Sequence, residues 1–565
     1  MSELCHNTED SATSESRRPR DQVVAKIISF EEARKKLGLS KRTAARCVGV
    51  PRSTVQGWLD RKAALQAPPA LVEFFESPDG VAFLHRLVLA AQIVITLMAP
   101  GSIRLVCTFL VLAGLDRFVA SSYGAQQKVI EALERELGTF GELERDRLGQ
   151  VMRPRKITII EDETFHPRIC LVAMDGVSGF IVLEKYAEGR DSETWTKALT
   201  AALGDLPVEV VQATSDEAKA LLKHAEQDLH AHHSPDLFHP QQDLVRAMSL
   251  NMARAVDEAR SAVTEAAAFT ERLVESTRVY ETSDDRKPWC SLDRMHRNIE
   301  EARAAEAVAR QALGEAERQQ QAMREARRGI SQSYHPFDLK TGAARSAEQV
   351  ATEPDGHFER IEEIAGWAAV SQSCRERIDK ARRVVASMVA TVAFFHDTVR
   401  TWVEDLGLSE QIEQFVLARW IPGRYLELVA GRAQDAATRS GHRQAAATVM
   451  PSVQEVTSML SSLCEEERLM VAYVVEQCAQ LFQRSSSGVE GRNGHLSLFH
   501  HGHHRLSDRK LIALTVVHNF MKVRPDGTSA AERFFGQPHR NVFDWLLERL
   551  PLPAWPSQPR RKSAS

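Results

Sequence analysis

The sequence predicts an α/β core interrupted by a large all-α insertion and preceded by an all-α helix-turn-helix region. Three observations carry this. Between residues 156 and 214, short β-branched apolar runs bounded by turn residues read as strands around one helix, whereas on either side the apolar residues recur with the period of helices. Between Asp216, at the end of that strand-rich segment, and Glu490 lie 273 residues, of which 243–330 are Ala/Glu/Arg-rich with helical periodicity. Near the N-terminus, two short amphipathic segments flank a glycine.

A chain of 565 residues, 43% hydrophobic, is long enough for several structural units. The expected divisions are a disordered basic arm (1–25), a helical DNA-binding region (26–150), the first part of the core (151–242), the insertion (243–483), the last part of the core (484–550) and a basic tail (551–565). Eight cysteines are scattered singly, without CxxC pairs or dense secreted-type spacing, which points to a reducing cytoplasm. The most apolar run, 82-AFLHRLVLAAQIVITLM-98, carries His85 and Arg86 and reads as a buried helix, so no membrane association is expected. The polar N-terminus does not resemble a signal peptide.

The net charge is only −4, yet Glu15 to Lys62 holds 13 Lys/Arg against 5 Asp/Glu. Within it, 40-SKRTAARCVGVPRSTVQGWLDRKAAL-65 places Ala44, Ala45, Val48, Val50, Val55 and Leu59 as a small apolar set, with Gly49 at the turn and Ser53 or Thr54 as cap of the second helix. In a helix-turn-helix the second helix enters the major groove, so Arg52, Ser53, Thr54, Gln56 and Arg61 would face DNA and Trp58 would pack inward. An ordinary helical hairpin imitates the same pattern. The helical block 102–138 is a second such unit or a support.

In 156-KITIIEDETF-165 a β-branched run ends at Asp162. Then 169-ICLVAMDGVSGFIVLEKY-186 reads as a hairpin around Asp-Gly, followed by a helix at 192–203, a strand at 208–214 ending in Ser215-Asp216, and a helix at 217–229. This order resembles the RNase H-like fold, in which the first and fourth strands are central neighbours. Asp162 and Asp216 would then lie at adjacent strand ends. Asp175 rivals Asp162, but its Asp-Gly context suits a hairpin turn for backbone reasons alone; Asp236 rivals Asp216.

Glu490, in 488-GVEGRNGHL-496, supplies a third carboxylate. It also fits a capping box, Ser487-x-x-Glu490, with no catalytic duty; against a long regular helix stand Gly491, Gly494 and Gly502. The run 500-HHGHH-504 suits phosphate contact or packing better than a defined zinc site, for which neither a nearby cysteine nor HExxH spacing is present. Inside the insertion, Ile299, Ala302, Ala305, Val308, Ala312 and Ala316 step along one helical stripe. Further helices are expected at about 374–404 and 452–483, the latter with Val456, Met459, Leu463, Met470, Val474 and Leu481 on one face.

Together, 159-IIEDETF-165, 189-GRDSETW-195, 215-SDEAKALL-222, 236-DLFH-239 and 488-GVEGRNGHL-496 resemble the motifs of DDE transposases, RNase H-like enzymes of bacterial insertion sequences. The resemblance spans 156–520, about half of it without a motif. It implies Asp162, Asp216 and Glu490 as a triad for two Mg²⁺ (or Mn²⁺) ions, with Asp236 and His239 in support and Arg492, Arg505 and Lys510 on DNA phosphates. It further implies metal-assisted cleavage and strand transfer on double-stranded DNA, a homo-oligomer, no small-molecule substrate and a place with the bacterial nucleoid. Two other classes fit the sequence: a DNA-binding regulator or inactive derivative with a helical dimerisation domain, and a nuclease of the same fold that cuts without joining.

Overall fold

The computed structural model describes residues 20–165, 168–284, 291–503, 506–552 and 554–556. It is mostly helical, with one mixed five-stranded sheet.

The N-terminal unit begins with the helix Arg20–Leu37, which takes in residues 20–25 of the expected disordered arm; residues 1–19 lie outside the described residues. Helices Lys41–Cys47 and Arg52–Ala63 follow, joined through Gly49 at φ +63°, a conformation that glycine adopts without a Cβ clash. Ala44, Ala45, Val50 and Val55 close on Phe30 in a small core, with Trp58 and Leu59 packed against it. Ser40 caps the first helix of the pair, its Oγ accepting from Thr43 N–H (3.2 Å). The second starts at Pro51 with no side-chain cap, so neither Ser53 nor Thr54 takes the expected role. Proline suits this place because its missing N–H is not needed there.

Among the described helices, Pro78–Met98 is the one long and apolar enough to cross a membrane by length and composition. Its Leu84, Val88, Leu89, Ile93 and Leu97 are nevertheless buried among other helices of the protein. The 27-residue helix Tyr123–Gly149 then leads to the sheet.

The strands are β1 (Arg155–Phe165), β2 (Ile169–Asp175), β3 (Ile181–Ala187), β4 (Val208–Ser215) and β5 (His232–Pro235), in the order β3-β2-β1-β4-β5. β1 pairs antiparallel with β2 and parallel with β4, so the first and fourth strands are neighbours at the centre, as expected. β1 continues past Asp162 to Phe165 because the hairpin partner β2 extends with it. The four residues of β5 escaped the sequence reading: His-His-Ser-Pro has little strand propensity, and parallel pairing with β4 imposes the conformation. The 217–229 helix is shorter than expected, an α-helical turn Lys219–Lys223 followed by a wider π turn to Asp228.

One core unites the sheet with Tyr123–Gly149, Ser487–His503 and the C-terminal helices; a second fills the insertion. The insertion opens with two long helices, Phe238–Thr282 and Leu292–Ser333, packed along each other. In the second of these, Ile299, Ala302, Ala316 and Met323 are buried, whereas Ala305, Val308 and Ala312 are exposed. The covered positions, 299-302-306-309-313-316-320-323, alternate steps of three and four, the seam of a coiled coil rather than the stripe expected from sequence. Residues 452–483 form two helices, Val453–Met459 and Glu465–Leu481, and the second buries Val471, Val475 and Cys478, leaving Met470 half exposed.

Part of the tail packs against the N-terminal unit. Ala120 N–H donates to Ala554 O (2.8 Å), and Trp555 lies under the guanidinium of Arg61 (3.5 Å) and near that of Arg20 (4.7 Å) while its Nε1 donates to Glu76 (3.1 Å). Residues 557–565 lie outside the described residues.

Candidate metal centre

The β1–β4 pairing fixes the first two carboxylates. Ile160 is opposite Thr214, so Asp162 and Asp216 each follow by two residues, on the same face and at the same level of adjacent strands. Asp162 is partly buried. Its Oδ1 accepts from Glu163 N–H (2.8 Å) and its Oδ2 from Asn493 Nδ2 (2.7 Å). Asp216 is more open, with Oδ1 accepting from Ala218 N–H (3.2 Å).

Glu490 arrives on the helix Ser487–His503, which lies against β1 and β2. The helix runs through Gly491, Gly494 and into Gly502, against expectation. Val489, Arg492, Asn493, Leu496 and Phe499 bury one face, and that burial outweighs the cost of about 1 kcal/mol per glycine. Gly491 and Gly494 point the other way, where a Cβ would meet no atom within 4 Å. The capping-box frame is off by one. Glu490 N–H donates to Ser486 O (3.0 Å), the first bond of the helical ladder, so Ser486 is the cap and Glu490 lies one residue beyond the capping-box position.

Ser486 is held by Asp236, at the end of β5. Asp236 Oδ1 accepts from Ser486 N–H (2.8 Å) and Phe238 N–H (2.9 Å), and Oδ2 from Ser486 Oγ (2.7 Å). This nearly fully buried aspartate therefore fastens the start of the Glu490 helix to the edge of the sheet. Both of its oxygens are engaged in these hydrogen bonds. At the second residue of the helix Phe238–Thr282, His239 places Nε2 3.6 Å from Asp236 and 3.9 Å from Glu490.

Asp162, His239 and Glu490 each offer a ligand atom within 4.8 Å of the other two. Burial, and then the nearby Glu490, push the Asp162 carboxyl up to about 7. Burial also raises Glu490; His239 opposes this and Asp236 adds to it. Burial thus disfavours the charged form of both carboxyls, a cost that a divalent cation bound between them would offset. Its donors fit one such ion. With an imidazole among them the set suits Mn²⁺ at least as well as Mg²⁺. Asp216 stands outside this tight group but lines, with Asp236 and His239, a cavity of about 360 Å³.

The other sequence candidates separate. Asp175 is fully buried in its hairpin turn, accepting from Ser178 N–H (2.8 Å) and Ser178 Oγ (2.5 Å) beside Arg155. Arg492, expected on a DNA phosphate, is 3% exposed and bound through two nitrogens to buried Glu184 (2.7 and 2.6 Å), so its charge is spent inside the fold. Lys510 is likewise partly buried near Glu134 (4.0 Å), and Arg505 lies outside the described residues. Arg52 and Ser53 are exposed and Thr54 and Gln56 half-buried, whereas Arg61 is covered by Trp555. His500 is buried beside Tyr186 (3.5 Å), which favours packing over zinc binding; His504 lies outside the described residues. Sequence reasoning missed Asn493 and Ser486. Asn493 follows Glu490 by one turn, which was the available signal; Ser486 bonds to a residue 250 positions away and left none.

Residues 416–564 match DUF6399, described as a family of unknown function. The matched segment contains Glu490, Asn493 and the helix that carries them, but neither Asp162 nor Asp216. No curated protein matches the chain.

Proposed function

We propose that this chain is a DDE-type transposase of the RNase H-like class, which cuts the ends of a mobile DNA element and joins them to a target. One observation carries the reading: Asp162 and Glu490, more than half the chain apart, converge with His239 beside the end of the parallel β1–β4 pair. The strand order supports the RNase H-like assignment, and the helix-turn-helix with Arg52 and Ser53 exposed supports recognition of duplex ends.

Asp162, Glu490 and His239 would hold a divalent cation, with Asp216, on the strand beside β1, a further oxygen donor for a second. When bound, such ions neutralise the charge that develops on a reacting phosphodiester and favour deprotonation of the attacking water or 3′-hydroxyl. The protein's own part is placement. Asn493 holds Asp162, Asp236 anchors the helix that presents Glu490, and the bare Gly491–Gly494 face leaves room for a sugar-phosphate backbone.

The test is a cleavage and strand-transfer assay with Mg²⁺ or Mn²⁺ on DNA carrying the ends of the candidate element. Joined product from the native protein, lost in Glu490→Gln and Asp162→Asn with DNA binding retained, is the expected result. Cleavage without joining would indicate a nuclease, and binding with no chemistry in any variant a regulator or inactive derivative.

A further inference from the structure

At the N-terminal end of the Glu490 helix, a cavity of about 1270 Å³ is lined by residues of the sheet, the insertion and the C-terminal segment. Its walls are unusually rich in arginine. From the insertion come Arg424 and Arg432, from the connection into the Glu490 helix Arg484, and from the C-terminal segment Arg524 and Arg533. Ser487 and Gly488, in the first turn of that 17-residue helix, complete the rim, so the positive end of the helix faces the same space.

The wall carboxylates do not balance these charges. Glu476 and Glu427 are both taken by Arg424 (2.6 and 2.8 Å), and Asp526 Oδ1 accepts from Thr528 N–H and Oγ1. Arg533 and Arg524 bond to backbone carbonyls of the β2–β3 turn, Ser178 O among them, and Arg484 donates to Ser331 O (2.7 Å). Among the described residues neither Arg432 nor Arg484 has an ion-pair partner, and each lies close enough to another arginine for the repulsion to register. Arg432 is lowered by burial and by Arg524, and Arg484 by burial and by Arg432. Several guanidinium groups gathered around one solvent-filled space, without matching acids, are costly unless an anion occupies it.

We propose that this cavity binds a run of phosphate groups, supplied by a nucleic-acid strand or by a free polyphosphate nucleotide. Planar guanidinium groups on several walls suit successive phosphates, and the cavity is too large for a single inorganic anion. It is a different surface from the carboxylate site and does not depend on metal binding there.

The experiment uses the full-length protein in EDTA and low salt, with a fluorescent 12-nucleotide single strand followed by anisotropy and inorganic tripolyphosphate as competitor and thermal-shift ligand. Arg432→Gln/Arg524→Gln should weaken the native interaction at least tenfold and abolish the rise in Tm caused by tripolyphosphate; Arg432→Gln alone should give a smaller loss with the fold intact by circular dichroism. A strand affinity whose salt dependence falls by about one per arginine removed identifies nucleic acid as the source. Tight tripolyphosphate binding that the strand cannot displace identifies a free nucleotide. Native affinity for both probes in the double variant, or no binding of either probe by the native protein, overturns the proposal. Because the chelator removes the metal, failure here and failure of the transposase reading are separate results.

Discussion

Asp162 shows how one side chain ties stability to function. Its carboxyl is raised from 3.8 to about 7 on folding, so between those values the folded chain holds more protons than the unfolded one. Stability of the metal-free protein should therefore decline by a few kcal/mol as pH rises through that window and level off above it. Melting curves from pH 4 to 8 check this: Asp162→Asn should flatten the slope, and Mn²⁺, which displaces the proton, should raise Tm more at pH 8 than at pH 5.5. Arg492 gives the contrasting case. Arg492→Ala strands Glu184 inside the fold and should cost about 3–5 kcal/mol in denaturant unfolding, an effect on the whole fold and not on DNA affinity alone. The two residues also mark how far the sequence was legible. The strand that carries Asp162 could be read because its β-branched run is a local pattern, although the strand continues three residues beyond the expected end. The fate of Arg492 depended on Glu184, 308 positions earlier, and on no pattern near it.

At the scale of elements, the strands, the hairpin turn and the helix-turn-helix were legible because each is written in consecutive residues. Tertiary contacts overrode local preference elsewhere: β5 is held by β4, and the Glu490 helix persists through its glycines because its other face is buried. The clamp on that helix is testable. Asp236→Ala leaves Ser486 N–H and Phe238 N–H without their acceptor and should cost about 1–3 kcal/mol. Metal affinity by calorimetry should fall about 10–100-fold in the same variant, as expected for loss of an outer-shell support. The phase of the long helical pair offers another check. The sequence stripe treats Val308 and Ala316 alike, whereas only Ala316 is buried. Ala316→Asp should destabilise by about 2 kcal/mol or more, and Val308→Asp by less than about 0.5 kcal/mol, in thermal melts of the full chain.

Across the whole molecule, the two ends of the chain meet. Trp555 stacks on Arg61 of the second helix of the helix-turn-helix and bonds to Glu76, which also pairs with Arg20 (3.2 Å). Trp555→Ala should cost about 1–3 kcal/mol. Hydrogen exchange should show faster opening of Arg52–Ala63 with the sheet amides unchanged. Nothing in the tail sequence, rich in proline and basic residues, signals this docking, because the partners of Trp555 lie almost the full chain length away.

The insertion has a consequence in time as well as space. Asp162 and Asp216 leave the ribosome early, but 273 further residues must be synthesised before Glu490, at roughly 5–20 residues per second. For roughly a quarter of a minute to a minute the nascent protein carries Asp162 and Asp216 without Glu490, and its helix-turn-helix without the Trp555 stack. On the proposed transposase reading, a message cut short within that interval would yield a chain with the DNA-recognition helices but no complete carboxylate centre, and such truncated products would compete with the full-length protein for DNA.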